Sequence, residues 1–168
     1  MVVAIADTHT TLWYLFSDPR LGRAASAFID ATVADGNHIG VSAISVAEMV
    51  YLIEKGRIPA TALTDVQAAV ADPKAVLKYV PVDQDIAANM AAIPREDVSD
   101  LPDRIIAATA HLYVIPVLTR DGRIRSSMAP YTRTRGPAIG KDCRIVSGDF
   151  PSLNARTMLS SAIRVPAM

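Results

Sequence analysis

The sequence predicts an α/β fold in which a mostly parallel central sheet of four or five strands is flanked by helices. Short apolar runs rich in β-branched residues recur along the chain, and segments with helical spacing of apolar residues separate them. Strands of a parallel sheet are continuously apolar because helices cover both faces. The 168 residues suffice for one such domain, which would bury about two-thirds of the extended chain's surface.

The first unit of this sheet is predicted to be a strand followed by two helices. VVAIA (2–6) is a continuous apolar run, and helical spacing of apolar residues from Leu12 to Phe16 follows it immediately. A second helix fits residues 20–35, whose apolar side chains share one face. Gly36 supplies the C-terminal stop, so this opening reads as βαα.

The middle of the chain predicts two further strands and two further helices. HIGVSA (38–43) has the pattern of a strand, and the helix predicted over 45–56 begins at Ser45. Residues 60–71 have helical spacing. AVLKYVPV (75–82) then predicts the third strand.

The last predicted elements are less regular. Helices over 85–92 and 102–112 precede YVIPVLT (113–119), which is the fourth strand. Pro116 weakens that strand, because proline removes a ladder donor and prefers an edge. CRIVS (143–147) is a candidate for one further strand.

The composition argues against several classes of protein. Seventeen basic residues balance seventeen acidic ones, so the overall charge does not indicate a nucleic-acid partner, although local clustering still can. The lone Cys143 cannot form an internal disulfide, which argues against a secreted, cross-linked scaffold. The apolar opening stops at Asp7, too early for a signal peptide or a membrane span. We therefore expect a soluble protein located in the cytoplasm.

Four carboxylates are predicted to lie at one rim of the sheet. Asp7 directly follows the first strand, and Asp121 closely follows the fourth. Glu48 is expected in the first turn of the helix after the second strand, and Asp103 begins the helix before the fourth. Ligand sites in open α/β sheets lie outside the carboxyl ends of the strands, so these acids are candidates for a shared site.

Each acid also has an ordinary structural explanation. Asp7 can cap a helix, Asp121 can form an Asp-Gly turn, and Glu48 can complete a capping box with Ser45. Asp103 favours the positive end of a helix dipole when the preceding Asp100 acts as N-cap. Taken singly, the structural explanation is favoured for every one of them.

Taken together, the acids favour a metal site. Two like charges about 4 Å apart repel by roughly 4 kcal/mol at an effective dielectric near 20, so such a cluster needs a cation. Oxygen ligands with no Cys or paired His nearby favour Mg²⁺ or Mn²⁺ over zinc. A divalent ion held in this way can turn water into a nucleophile for phosphodiester hydrolysis.

Three blocks of sequence carry a resemblance to a known family. The blocks are ADTHTTLWYLFSDPRL (6–21), VSAISVAEMVYLIEKGRI (41–58) and LPDRIIAATAHLYVIPVLTRDGRI (101–124). They resemble the PIN-domain ribonucleases, specifically the VapC-like toxins of bacterial type II toxin–antitoxin systems. The resemblance covers about residues 1–125, and its three blocks occur in family order with an acid in each.

The resemblance implies a fold, a site and partners. The fold would be a three-layer PIN-like domain over 1–125. The activity would be Mg²⁺- or Mn²⁺-dependent endoribonuclease cleavage of RNA, with homodimerisation and inhibition by an antitoxin protein that occupies the active-site groove. The catalytic, metal-binding acids would be Asp7, Glu48, Asp103 and Asp121. Asp100 matches a frequent family acid, and Thr119 matches a hydroxyl near the site.

Other residues near these motifs have competing interpretations. The arginines around Asp121 can hold an RNA backbone or form a solvated surface; they are Arg120, Arg123, Arg125, Arg133 and Arg135. Thr119, Arg120 and Arg123 are the predicted substrate-binding residues. Packing or capping is favoured for His9 over a role in the site, and core or dimer contact is favoured over base stacking for Trp13, Tyr14 and Phe16. Arg104 is expected to be structural, pairing with an acid or a helix end.

The sequence departs from the family after Arg125. Residues 126–168 have weak periodicity, which predicts either a partly disordered segment or a small addition with one extra strand. Two other functions compete with the nuclease. Haloacid dehalogenase-like phosphotransferases also place an aspartate after the first strand, but they need a second acid where this chain has His9. A non-catalytic PIN-like module that binds RNA or protein is the other alternative, and the presence of all four acids argues against it.

Overall fold

The computed structural model describes the backbone of residues 1–127 and 144–146 and the side chains of residues 1–124. Its sheet has five strands in the order β3-β2-β1-β4-β5. The strands are β1 (Val2–Ala6), β2 (His38–Ser42), β3 (Leu77–Val80), β4 (Val117–Thr119) and β5 (Arg144–Val146). The first four are parallel, and β5 pairs antiparallel with β4. The predicted α/β fold with a mostly parallel sheet is therefore confirmed.

Seven α-helices accompany the sheet in the described part of the chain. They are α1 (Thr8–Leu15), α2 (Arg23–Ala34), α3 (Ala43–Glu54), α4 (Thr61–Ala71), α5 (Gln84–Asn89), α6 (Leu101–Tyr113) and α7 (Gly122–Ser127). Short 3₁₀ helices occur at Pro19–Leu21 and Met90–Ala92. None of the helices in these residues has the length and apolar character needed to cross a membrane.

The sheet separates two hydrophobic clusters, which makes the domain three layers deep. In β1, Ile5 packs into a cluster formed largely by α5 and α6, whereas Ala4 and Ala6 pack into one formed with α1 to α4. Gly40 lies in β2 between its neighbours, where an added Cβ would come 2.7 Å from Ile5 Cδ1 and 2.9 Å from Val80 Cγ2. This position has no room for a larger residue.

Several boundaries differ from those predicted. The expected helix over 20–35 is divided at Gly22, whose φ of 75° ends the 3₁₀ turn before α2 starts. The strand predicted over 113–119 is only three residues long, because α6 runs to Tyr113 and Val114 ends it in the left-handed conformation (φ 53°). Pro116 accordingly precedes the strand, where its missing N–H costs no ladder bond.

The predicted extra strand within CRIVS is present as β5. The rest of the C-terminal segment that begins at 126 lies outside the described residues, apart from the last turn of α7. The predictions for Cys143 and for the arginines at 125, 133 and 135 likewise concern side chains outside the described part.

Candidate active site

Asp7 lies where β1 ends, beside the end of β4. Its backbone N–H donates to the Leu118 carbonyl (3.1 Å), which continues the ladder and brings Asp7 next to Thr119. Its Oδ1 accepts a 2.6 Å hydrogen bond from the N–H of Thr10, so the capping interpretation of Asp7 is confirmed. Only 6% of Asp7 is exposed. Burial raises the pKa of its carboxyl, and a hydrogen bond from the Thr119 hydroxyl opposes that rise.

Thr119 joins Asp7 to Asp121. The Thr119 side chain is fully buried, and its Oγ1 accepts a 2.9 Å hydrogen bond from the backbone N–H of Asp121. Asp121 in turn caps α7, because its Oδ1 accepts from the N–H groups of Arg123 (2.6 Å) and Ile124 (3.4 Å). One threonine hydroxyl therefore helps to fix the positions of two predicted metal ligands.

Glu48 is held by a contact between two helices. The Thr8 hydroxyl in α1 donates a 2.6 Å hydrogen bond to Oε2 of Glu48 in α3. The predicted capping box of Ser45 and Glu48 is wrong, because α3 is capped by Ser42, whose Oγ accepts from the N–H of Ile44. Starting the helix at Ala43 moves Glu48 from the first turn to the second, where its carboxylate faces α1.

Asp100 and Asp103 lie at the start of α6. Asp100 occupies the N-cap position, and its carbonyl accepts from the N–H of Arg104 (3.0 Å). The expectation that the Asp100 side chain caps this helix is wrong, because its carboxylate makes no capping hydrogen bond. Asp103 occupies the first turn, as predicted.

Asp103 lies near four other carboxylates, and their charges affect its pKa. Burial is the main cause that raises it, and negative charges add to the rise, bringing it to about 7. In decreasing order, these charges belong to Asp100, Asp121, Glu48 and Asp7. All five carboxylates therefore share one region of negative potential, although they come from four separate parts of the chain.

The described acids do not form a ready-made ligand set. Among the residues with described side chains, no three of the His, Cys, Asp and Glu groups are arranged so that they could hold a metal ion. The donor chemistry nevertheless suits a hard dication, since every predicted ligand offers carboxylate oxygen and mutual repulsion already raises the pKa of one member. A shared ion would require these carboxylates to lie closer together than they do here.

Comparison with known proteins places the chain in a family. The family model of the PIN domain matches residues 4–127. The chain belongs to the PIN domain family. It is 29% identical over 130 residues to Ribonuclease VapC22 of Mycobacterium tuberculosis, an alignment that spans 77% of this chain and 95% of that relative.

Two solved structures resemble this PIN domain. The first is VapBC2 from Rickettsia felis bound to a DNA fragment from its promoter, with a TM-score of 0.56 and 14% identity over 75% of this chain and 92% of that one. At that identity the likeness concerns the fold alone. The second is a toxin–antitoxin complex from Klebsiella pneumoniae, with 27% identity, a TM-score of 0.49, and coverage of 70% and 86%.

A cleft of about 560 Å³ opens beside the acids of the PIN domain. Three of the acids, Glu48, Asp100 and Asp103, contribute to its wall. A fourth acid, Asp18, also lines it and is paired with Arg20. The rest of the wall is aromatic, aliphatic and basic, and includes His9, Trp13, Phe16, Arg20, Tyr51 and Arg57. The predicted core contact is confirmed for Trp13 and Tyr14, which pack against the cluster formed with α1 to α4. His9 and Phe16 are exposed, and a strand-to-helix pattern does not reveal that they border a cleft.

Arg104 donates hydrogen bonds to the backbone of the segment that precedes α6. Its Nε donates to the carbonyl of Ile93 (3.2 Å) and its Nη2 to the carbonyl of Met90 (3.0 Å). Met90 is the C-cap of α5, and Ile93 is the C-cap of the 3₁₀ helix that follows it. The prediction that Arg104 pairs with a helix end is confirmed.

The predicted substrate-binding arginines are both exposed. Arg120 donates from Nη1 to the carbonyl of Arg20 (3.1 Å), and its guanidinium lies over the ring of Trp13. Arg123 donates from Nη1 to the Ser99 hydroxyl (3.2 Å). Both therefore lie near the carboxyl ends of the strands, on the same edge as the acids.

Proposed function

We propose that this PIN domain is a metal-dependent endoribonuclease, the toxin component of a toxin–antitoxin pair, which hydrolyses RNA phosphodiester bonds. The observation that carries the proposal is the convergence of four carboxylates on the partly buried Asp103 beside an open cleft. Burial and these charges together raise the pKa of Asp103 to about 7. Structural capping alone does not account for so many negative charges acting on one group. A site that concentrates negative charge in this way is built for a cation.

Asp7, Glu48, Asp103 and Asp121 would hold Mg²⁺ or Mn²⁺, with Asp100 as a further candidate. Such an ion lowers the pKa of bound water and stabilises charge on a phosphodiester. The chain's own groups orient the ligands. Thr8 holds one oxygen of Glu48, and Thr119 bonds to Asp7.

The RNA backbone would enter through the cleft. Arg120 and Arg123 would contact phosphates, and the exposure of both guanidinium groups near the acids supports this role. Thr119 is fully buried, so the support for its predicted role in substrate binding is indirect and comes from its bonds to Asp7 and Asp121. A phosphate contact is sequence-independent, so these residues alone would not select a cleavage site.

The relatives support the biological setting of the proposal. Ribonuclease VapC22 is matched over 95% of its length, so the likeness extends over nearly the whole of that ribonuclease. We further propose that the protein pairs with a cognate antitoxin, assembles as a homodimer and acts in the cytoplasm on RNA. The partners would be tested by co-expression with candidate antitoxins and by the mass of the purified protein in solution.

Cleavage of labelled RNA by the full chain tests the enzymatic proposal. We expect cleavage with Mg²⁺ or Mn²⁺ that stops with chelator and falls at least about 100-fold in Asp7→Asn and Asp103→Asn, because each removes charge that stabilises the transition state. Asp65→Asn is the matched control, since Asp65 is an exposed acid of α4 that is not among the charges raising the pKa of Asp103.

The contrary results have separate meanings. Cleavage that persists in chelator, or that survives Asp7→Asn and Asp103→Asn, would refute the metal mechanism. Binding of RNA without cleavage of any RNA, under conditions where Mn²⁺ raises the melting temperature, would instead identify a non-catalytic binding module. If Mn²⁺ raises the melting temperature of the wild-type protein but not that of Asp103→Asn, the ion binds at the acids, whatever the activity.

A further inference from the structure

Trp13 lines the same cleft as three of the acids and contacts two exposed arginines. The guanidinium carbons of Arg20 and Arg120 each lie 5.5 Å from the centre of the Trp13 ring, within the range of a cation–π interaction. His9 also contacts this ring, with ring centres 5.7 Å apart. Trp13 thus contacts three side chains that can carry positive charge.

The two arginines come from distant parts of the chain. Arg20 belongs to the 3₁₀ helix after α1, and Arg120 follows β4. Arg120 donates to the Arg20 carbonyl (3.1 Å), so the two segments are tied together at the edge of the sheet. Placing two cations together costs free energy unless an anion offsets it.

The described neighbours offset only one of these charges. Asp18 forms a 2.6 Å salt bridge with Arg20, whose side chain is 65% exposed. No ion pair joins a carboxylate to Arg120 among the residues with described side chains. Long exposed arginines lose rotamer entropy when held in place, so an aromatic ring that fixes two of them favours a binding role over simple solvation.

Their position beside the acids indicates what they would bind. Arg120 lies between Thr119 and Asp121, and Arg20 and Trp13 line the same cleft as Glu48 and Asp103. An RNA strand entering this cleft meets several carboxylates, which repel its phosphates. Arg120, whose charge no described carboxylate offsets, would reduce that repulsion and hold a flanking phosphate. Arg20 donates to Asp18 from Nε and Nη2, and its Nη1 would add a further donor to the same phosphate.

We infer that Trp13 is a positioning residue that holds Arg20 and Arg120 as a phosphate-binding pair for the RNA strand beside the acidic site. This inference rests on the proposed ribonuclease function, because it takes RNA as the ligand. It assigns Arg20 to substrate binding and gives the exposed edge of Trp13 a purpose. Phe would support the arginines less well than Trp, whose ring binds cations best.

Binding of an uncleavable RNA tests the inference apart from catalysis. The probe is a fluorescein-labelled 2′-O-methyl RNA oligonucleotide of mixed sequence, titrated with the full chain in chelator and followed by anisotropy. Mixed sequence suffices because phosphate contacts are sequence-independent. Trp13 is the only tryptophan, so an unlabelled copy of the probe should also change the intrinsic fluorescence of the wild-type protein.

We expect Arg20→Gln, Arg120→Gln and Trp13→Ala each to weaken binding about 5-fold or more in low salt, and Trp13→Phe to weaken it less. Each lost phosphate contact should reduce the slope of log K against log salt by about 0.7. Trp13→Ala should reduce that slope too, although it removes no charge. Lys74→Gln is the control, because it removes a positive charge that precedes β3 at the opposite edge of the sheet.

A coupling measurement then separates positioning from direct contact. In the Arg20→Gln, Arg120→Gln background, Trp13→Ala should have little further effect, since the residues act together. Circular dichroism and the melting temperature establish that each variant is folded. If Trp13→Ala does not fold, the RNA affinity and salt slope of Trp13→Phe are compared with those of wild type instead. If Trp13→Ala binds RNA more weakly but has the wild-type salt slope, Trp13 stacks on a base, and the inference is overturned. The inference is also overturned if the variants of Trp13, Arg20 and Arg120 all bind RNA as tightly as wild type, whether or not the protein cleaves RNA.

Discussion

The hydroxyl of Thr8 donates a 2.6 Å hydrogen bond to Oε2 of Glu48, forty positions later in the sequence. It connects the first turn of α1 to the second turn of α3, so one helix sets the orientation of an acid on the other. Thr8 is buried, with 2% exposed. A proposed metal ligand thus depends on a side chain that would not itself contact the metal.

Replacing Thr8 with Val should lower the rate of RNA cleavage while leaving the fold intact. Val has nearly the same shape and fills the same space, but it removes the donor. Hydrogen bonds to charged groups contribute about 1.5–3 kcal/mol, so a 10- to 100-fold loss of kcat/KM is expected. Steady-state cleavage of a labelled RNA at saturating Mn²⁺ measures it.

Thr8→Ser is the matched variant, because it keeps the donor. It should retain most of the activity that Thr8→Val loses. Equal activity in Thr8→Val and the wild-type protein would mean that Glu48 does not need this bond, and would weaken its assignment as a ligand.

The sequence identified the acids but not their supports. Asp7 and Asp121 could be located because a strand end delivers the next residue to the edge of a parallel sheet, a rule that depends only on chain order. Thr8 could not be assigned in the same way, because its partner is set by how α1 packs against α3. Local sequence does not encode that packing.

Helix starts account for the other errors. Two serines, Ser42 and Ser45, both suit an N-cap, and the pattern favoured the wrong one. Asp100 has the residue type of a capping side chain, yet the structure leaves its carboxylate without a capping bond and near Asp103. Charge repulsion inside a cleft competes with local capping, and only the tertiary structure shows which of the two prevails.

Asp103 should make the metal-free protein less stable as pH rises. Its pKa is raised to about 7 in the folded state, so between its ordinary value and about 7 the folded state binds more protons than the unfolded state. Stability therefore falls as pH rises through that window and stays lower above it. Urea unfolding in chelator at pH 4.5 and 8, roughly the two ends of this window, measures the change.

Asp103→Asn should reduce this dependence, and Asp7, whose pKa burial also raises, contributes part of what remains. Compared with wild type, the variant should gain stability at the higher pH and little at the lower, because an amide carries no charge in either state. Mn²⁺ should then stabilise wild type at the higher pH more than it stabilises the variant. A wild-type and variant difference that is the same at both pH values would contradict the raised pKa.

Asp100→Asn should lower the pKa of Asp103 without weakening α6. Asp100 is the foremost of the charges that raise this pKa, although burial contributes more. Its side chain makes no capping hydrogen bond, and Asn is an equally good N-cap residue. Carbon-13 NMR titration of the Asp103 carboxyl in chelator gives the pKa, and a fall in melting temperature at both low and high pH would show that the Asp100 side chain supports the helix after all.

Arg104→Met should cost stability rather than catalysis. The substitution removes the donors to the carbonyls of Met90 and Ile93, and charge-assisted bonds of this kind contribute about 1.5–3 kcal/mol each. We expect a lower free energy of unfolding in urea, with kcat/KM per folded molecule within about 3-fold of wild type. Unchanged stability together with a large rise in KM would instead indicate that Arg104 contacts an RNA phosphate.

Thr119→Val separates two roles for a residue predicted to bind substrate. If the Thr119 hydroxyl bond to Asp7 opposes the effect of burial, losing that bond lets the pKa of Asp7 rise further. Protons compete with metal for a carboxylate, so the apparent affinity for Mn²⁺ should fall, and the loss should grow as the pH is lowered. Thr119→Ser should restore the affinity for Mn²⁺.

A direct contact of Thr119 with RNA would produce a different result, a higher KM for RNA with unchanged metal affinity at any pH. The buried position of Thr119 beside Asp7 and Asp121 favours the first result.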